Sequence, residues 1–390
     1  MNYKTFLILL SLITFFSLIA FSQTNVRTYT FDTSLEGWSH ADYSAMNPHC
    51  TAPLFGYESG QLTISSPLQL NPGEANYGYW INTSSDFIAS EIPPNSLFRG
   101  TFYVSTDQPD HTLVPQVRFA LRNETAQLNS IIQINSINNA SVQNTPTPTL
   151  RAYEHYFQPH KGSLYPQFDG LTVTFELLNY FFLAGPDEGT VYLDRVVIDR
   201  FDLSTIRWSH TQDFTLGLWR AYIQPNETGM FTLPDFYKIP YGSDCILGIK
   251  STGDNTNTYG VYVGDRDKLS IDGLTPSGKS YLYRGIFNVS TDCWDLFNVP
   301  VTILALHQSV IRESSGLSIS SNLGPDSSPD DFGKDYFVYF RPPLEEVTSA
   351  PSSERYVYCE FDLLNFWTYD PYGGLFLNSA KLERTDIDNP

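Results

Sequence analysis

The chain has 390 residues, with 23 Lys and Arg against 42 Asp and Glu, giving a net charge of −19. A surface this acidic repels a phosphate backbone, which excludes a nucleic-acid partner. Hydrophobic residues make up 41 %, aromatic residues 15 % and charged residues only 17 %; that composition excludes a disordered chain, and the length leaves room for two or three domains.

Residues 1–22 read as an export signal. Lys4 supplies the positive start, Phe6 to Phe21 is an apolar run broken only by Ser and Thr, and Ala20-Phe21-Ser22 offers small residues around a cleavage point. The mature chain is therefore expected to begin at Gln23. The apolar run is short for a membrane span of about 20 residues, no cysteine follows it, and no second apolar segment occurs. The expectation is a secreted or otherwise extracytoplasmic protein, periplasmic or extracellular, with no membrane span in the mature chain.

The segments that follow read as strands. Phe98, Phe102 and Val104 alternate with Arg99, Thr101 and Tyr103, so the apolar set takes one face and the polar set the other. Val117, Phe119 and Leu121 alternate with Arg118, Ala120 and Arg122. Val191 to Ile198 makes a further strand, answered by Leu375 to Leu382, and turn-rich stretches at Asn135 to Thr149 and Ser320 to Gly333 separate strands. No long 3.6-residue period appears outside the signal.

The second half repeats the first. LFRGTFYVSTD from Leu97 to Asp107 returns as LYRGIFNVSTD from Leu282 to Asp292, with eight of eleven positions identical. Leu35-x-x-Trp38 pairs with Leu216-x-x-Trp219, Tyr77-Gly78 with Tyr259-Gly260, Tyr156-Phe157 with Tyr339-Phe340, and Leu177-Leu178-Asn179 with Leu363-Leu364-Asn365, at offsets of 181 to 186. Colinear matches of this kind identify a tandem repeat. The expected fold is all-β: two tandem β-sandwich (jelly-roll) domains at 24–203 and 204–390, after the signal peptide. Cys50, Cys245, Cys293 and Cys359 fit an oxidising compartment, as structural disulfides or buried thiols, and their spacing does not choose a connectivity.

Phe31-Asp32 with Leu35-Glu36-Gly37-Trp38 opens the first copy, and Val191-Tyr192-Leu193-Asp194-Arg195-Val196 closes it. This pair resembles the galactose-binding-like jelly-roll superfamily, which contains many non-catalytic carbohydrate-binding modules of secreted bacterial proteins. The second copy departs from it, with Gln212-Asp213 in place of Phe31-Asp32 and Asn378 in place of Asp194. The resemblance implies a jelly roll with an extracellular glycan as partner. It also implies a structural calcium where first and last strands meet, for which Asp32 with Asp194, and Asp213 with Asn378, are the candidate oxygen ligands.

Catalytic motifs are not found in the sequence. The seven histidines make no HExxH pair, and neither a GxSxG elbow nor a P-loop occurs. Arg118 and Arg122, a faint echo of the sheet-borne clusters of polysaccharide lyases, become Ile303 and His307 in the second copy. The chain is therefore read as a non-enzyme that requires no cofactor. Sugar stacking needs flat aromatic faces beside polar groups. Candidates are Tyr77, Tyr79 and Trp80 in the first copy, and Tyr259, Tyr262, Trp294 and Trp367 in the second. Arg99 and Arg284, retained in both copies, would either contact sugar hydroxyls or a uronate, or form a sheet-face ion pair with the aligned acids Glu176 and Asp362. The expected function is a secreted carbohydrate-binding protein. The alternatives are an extracellular structural or adhesive protein, and a polysaccharide lyase or hydrolase.

Overall fold

Alternating apolar residues bounded by turn residues become strands throughout. The computed structural model describes residues 23–42, 50–51, 54–66, 75–82, 93, 95–107, 116–124, 133–138, 148–158, 170–178, 189–222, 231–232, 235–250, 257–263, 269–270, 273–292, 302–308, 314–319, 333–342, 356–364 and 374–388. The strands of the first half are β1 (Gln23–Tyr29), β2 (Trp38–Asp42), β3 (Cys50–Thr51), β4 (Leu54–Glu58), β5 (Gln61–Ser66), β6 (Ala75–Asn82), β7 (Ser96–Thr106), β8 (Gln116–Glu124), β9 (Gln133–Asn138), β10 (Arg151–Phe157), β11 (Gly170–Leu178) and β12 (Gly189–Asp202). Those of the second are β13 (Ser209–Phe214), β14 (Arg220–Tyr222), β15 (Phe231–Thr232), β16 (Asp235–Tyr241), β17 (Asp244–Lys250), β18 (Asn257–Val263), β19 (Leu269–Ser270), β20 (Leu282–Thr291), β21 (Thr302–Gln308), β22 (Ser314–Ile319), β23 (Lys334–Phe340), β24 (Tyr356–Leu364) and β25 (Gly374–Thr385). Among the described residues the one helical turn is a 3₁₀ turn at Leu216–Leu218.

Three sheets result. A six-stranded sheet runs β10-β7-β12-β5-β4 with β1 added on β12, and a second runs β23-β20-β25-β17-β16 with β13 added on β25. The same order appears in both halves. The third sheet has 13 strands and passes through both halves, β2-β6-β11-β8-β9 continuing into β22-β21-β24-β18-β14. Its seam is the antiparallel β9–β22 pair, with Ser136 opposite Gly316 and Asn135 opposite Leu317. Because β9 and β22 hold the same place in the two strand orders, their antiparallel pairing sets an approximate two-fold axis at the seam.

Each six-stranded sheet packs on its part of the long sheet, so the protein is an all-β sandwich. In the first half the core holds Phe98, Phe102 and Val104 from β7, the set that the alternation assigns to one face, with Leu62, Ile64 and Trp38. In the second, Phe287 and Val289 of β20 meet Leu304, Leu306, Cys359 and Phe361 of the long sheet. Strand β12 keeps its apolar side inward by a bulge: Val191 and Leu193 are buried, the register then shifts between Leu193 and Arg195, and Val196 and Ile198 are buried after it. Strand β25 does the same around Asn378, with Leu375 and Leu377 before it and Ala380 and Leu382 after. An extra residue resets the two-residue alternation, which otherwise would send the second apolar pair to the opposite face.

Trp38 and Trp219 anchor equivalent corners. Phe31 stands edge-on to Trp38 at 5.7 Å, and Phe214 edge-on to Trp219 at 6.2 Å. Register makes Phe214 the counterpart of Tyr29, which is also edge-on to Trp38, at 5.5 Å: Tyr29 faces Val196 on β12 as Phe214 faces Ala380 on β25. Trp219 is 1 % exposed. Trp219→Ala is expected to cost about 3–5 kcal/mol, the usual range for deleting a buried large aromatic; urea unfolding would measure it.

Cys245 and Cys359 are buried and unbridged, and burial raises the thiol pKa of both. The side chain of Cys50 and all of Cys293 lie outside the described residues.

Candidate functional site

The long sheet has two faces, and register sorts its residues between them. Trp38 pairs with Asn82, and His40 with Trp80, so Trp80 lies on the face of the buried Trp38. Tyr77 and Tyr79 lie on the other face. Tyr79 stands opposite Glu176, and Glu176 opposite Arg118. These three form one row across β6, β11 and β8, with Tyr77 two residues along the strand. In the second half Tyr262 stands opposite the fully buried Phe361 and shares its inward face, whereas Tyr259 stands opposite Leu364 and shares the outward face with Asp362. Asp362 in turn stands opposite Ile303. The outward face therefore joins Tyr77, Tyr79, Glu176 and Arg118 in one half, and Tyr259 and Asp362 in the other. Trp294 and Trp367 lie outside the described residues.

Arg99 and Arg284 sit elsewhere, in the six-stranded sheets. Register sets Arg99 between Tyr156 on β10 and Asp199 on β12, and Arg284 between Tyr339 on β23 and Glu383 on β25. The acids beside the two arginines are thus Asp199 and Glu383. Glu176 and Asp362, which sequence alignment suggested, belong to β11 and β24 of the other sheet. Arg99 donates through Nε and Nη2 to Asp199 Oδ2 at 3.2 and 2.7 Å. Its Nη1 faces Glu154 at 3.7 Å and Asp388 at 3.4 Å. Arg284 donates through Nε to Glu383 Oε2 at 3.1 Å and through Nη2 to the same oxygen, with its guanidinium 3.8 Å from the centre of the Trp208 ring.

The halves meet on this side. Leu97, Tyr156 and Phe201 pack with Ile206, Leu282, Tyr339 and Ile387 in a common apolar cluster. Arg341 completes the polar part: Nη1 donates to Glu154 Oε2 at 3.1 Å and to the Tyr156 hydroxyl at 3.2 Å, and Nη2 donates to Asp388. Asp388 thereby links an arginine of each half, as does Glu154. Tyr339 donates to Gln158 across the same boundary. Burial opposes the charge of Arg99, but Tyr156, Glu154 and Asp199 outweigh it and its pKa is raised. Burial pushes the Tyr156 phenol up as well, so it stays protonated and donates to Glu154 Oε2 at 2.8 Å. Arg99 is only 7 % exposed, because the second half closes over the polar face of β7. Of its two expected roles, the geometry is that of an ion pair.

The residues expected to hold calcium occupy bulges and turns. Asp194 and Asn378 are the extra residues of the β12 and β25 bulges. Asp194 accepts from Gln61 Nε2 at 3.2 Å, and Asn378 Nδ2 donates to Asn288 Oδ1 at 2.9 Å and Ser290 Oγ at 3.2 Å. Asp32 and Asp213 are exposed. The adjacent loop is held by Glu36, whose carboxylate accepts the N–H of Phe31 at 2.9 Å and that of Thr30 at 3.2 Å. These bonds hold the positive φ of Phe31, 55°, and of Glu36, 49°. Among the described residues no group of three or more His, Cys, Asp and Glu is gathered as for a metal ion.

No protein-family model matches the chain, and no curated protein matches it in sequence. Among solved structures it is similar to a xylan-binding module, CBM15, at 13 % identity and a TM-score of 0.27, over 45 % of this chain and 95 % of that one. It is similar to the K3 cleaved adhesin domain of Lys-gingipain from Porphyromonas gingivalis at 11 % identity and a TM-score of 0.27, over 45 % of this chain and 98 % of that one. Tandem CBM51 modules of a family 98 glycoside hydrolase from Streptococcus pneumoniae match 92 % of this chain and 98 % of their own, at 10 % identity and a TM-score of 0.22.

Proposed function

We propose that the chain is a secreted, non-catalytic carbohydrate-binding protein, cleaved before Gln23 and built from two copies of one jelly-roll module. The recurrence of one strand order in both halves, together with the colinear sequence repeat, supports the duplication. The observation that carries the binding role is the outward row Tyr79–Glu176–Arg118 with Tyr77 beside it. A sugar needs a flat apolar face to stack on and polar groups for its hydroxyls, and the register sets two tyrosines, a glutamate and an arginine at neighbouring positions of one face. The row supports a platform rather than a catalytic centre, since glycoside cleavage requires a pair of carboxylates at a set spacing and this row contributes one.

Pull-down of residues 23–390 on insoluble polysaccharides, with a glycan array alongside, tests the reading. Saturable retention by at least one glycan is expected. Uniform failure of the folded protein across neutral and acidic glycans would favour a structural or adhesive role, which a fixed seam between halves serves equally well. Calcium belongs to this reading through Asp32 with Asp194 and Asp213 with Asn378. Chelation by EDTA is then expected to lower the melting temperature, and an unchanged melt removes calcium from the account.

A further inference from the structure

We infer that the glycan is a single long chain without anionic groups that crosses the seam and engages both halves at once; the inference rests on the carbohydrate-binding reading. Its basis is the continuity of one sheet face. From Tyr79's neighbours the outward face is carried by Thr174 to Ala120, from Ala120 to Ser136, across the seam to Gly316, and on to Ala305 and Glu360. Every step is a direct register pair, so these positions share one face of the sheet from β11 to β24. Tyr77 and Tyr79 therefore share a face with Tyr259 and Asp362, although they belong to different halves.

From β6 to β18 the sheet makes seven strand-to-strand steps, a distance of about 34 Å at roughly 4.8 Å per step. A monosaccharide or a short oligosaccharide reaches one end only, whereas an extended polymer running across the strands reaches both. The net charge of −19 sets the class of polymer. A long polyanion would be repelled by the surface as a whole, which leaves a glycan without anionic groups.

The two-fold seam also accounts for the divergence of the copies. A glycan chain has a reducing and a non-reducing end, so a chain laid straight across an approximate two-fold meets the second copy in the reverse direction. Identical residues would then face different atoms of the ligand. The face differs accordingly, with Val261 at the place of Tyr79 and Ile303 at the place of Arg118. The retained aromatic is Tyr77, as Tyr259.

The test is a chain-length ladder on residues 23–390, with cello-, xylo- and manno-oligosaccharides and the parent soluble polysaccharides titrated by calorimetry. Affinity is expected to keep rising with length, by about tenfold or more once a chain spans both halves, while stoichiometry falls to one chain per protein. Gly316→Arg and Ser136→Arg, each an obstruction at the seam, are expected to abolish that gain and to leave short-oligomer binding unchanged; circular dichroism checks their fold. Short-oligomer binding that shows no gain with length in the unaltered protein overturns the spanning chain and leaves the binding reading intact. Binding to none of the ladder or polysaccharides, by a folded protein, overturns both.

Discussion

Asp199→Ala is expected to destabilise the protein by about 3–5 kcal/mol, the range for removing one partner of a buried ion pair. The reason is the arginine left behind. Arg99 and Asp199 have side chains 9 % and 5 % exposed, and the carboxylate receives two of the guanidinium's hydrogen bonds. Without it a charged group stays buried, with Glu154 and Asp388 only at 3.7 and 3.4 Å. Arg99→Met should cost a similar amount, because it leaves the Asp199 carboxylate buried with Asn25 Nδ2 at 3.4 Å beside it and removes the guanidinium that stands 5.1 Å from the centre of the Phe201 ring. Guanidinium unfolding of both variants, followed by tryptophan fluorescence, gives the two values. Small losses in both would show that the pair is solvated.

Asp388→Ala is expected to cost about 3 kcal/mol and to loosen the halves from each other. Arg341 is left with Glu154 as its remaining carboxylate partner, and Arg99 loses its link to the second half. Acid should act at the same point. Burial alone would raise the Asp388 carboxyl pKa, but its hydrogen bond to Arg341 and the nearby Lys279 hold it below the usual value. A carboxyl depressed in the folded state stabilises fully above its unfolded pKa of about 4, and that stability is lost as pH falls through the lower folded value. Glu383, depressed by Arg284 and Lys381 against the opposing effect of burial, adds in the same direction. The unaltered protein should thus lose stability below about pH 4, and Asp388→Ala should lose less over that window, which pH-dependent melting would measure.

Strand content and the faces of β7 are legible in the sequence because alternation depends only on neighbours along the chain. Phe98, Phe102 and Val104 need no partner to declare one face. Which charges meet is a different kind of fact. Arg99 and Arg284 are recognisable from their retention in the repeat, yet alignment pairs them with Glu176 and Asp362, whereas strand order puts Asp199 and Glu383 beside them. Asp388, Glu154 and Arg341 come together from three distant segments, and no local pattern marks them. The outward row of the long sheet lies between these cases. That Tyr79 and Trp80 belong to opposite faces of the strand follows from alternation, but which of them shares the face of the buried Trp38 follows only from the pairing of β2 with β6. The seam between β9 and β22 is not marked in the sequence: Asn135 to Asn138 read as the start of a turn-rich stretch, whereas they form the end of β9, and only the pairing with β22 makes them part of the sheet.

The separation of Tyr79 from Trp80 tests the carbohydrate-binding account most directly. A polysaccharide retained by residues 23–390 is titrated against the unaltered protein, Tyr79→Ala and Trp80→Ala, with the melting temperature of each recorded. The account predicts that Tyr79→Ala weakens binding at least about tenfold, as loss of a stacking anchor does, at an unchanged melting temperature, and that Trp80→Ala lowers the melting temperature. Full binding by Tyr79→Ala, Tyr77→Ala and their double variant would contradict it, because the outward face of the long sheet would then not be where the glycan lies.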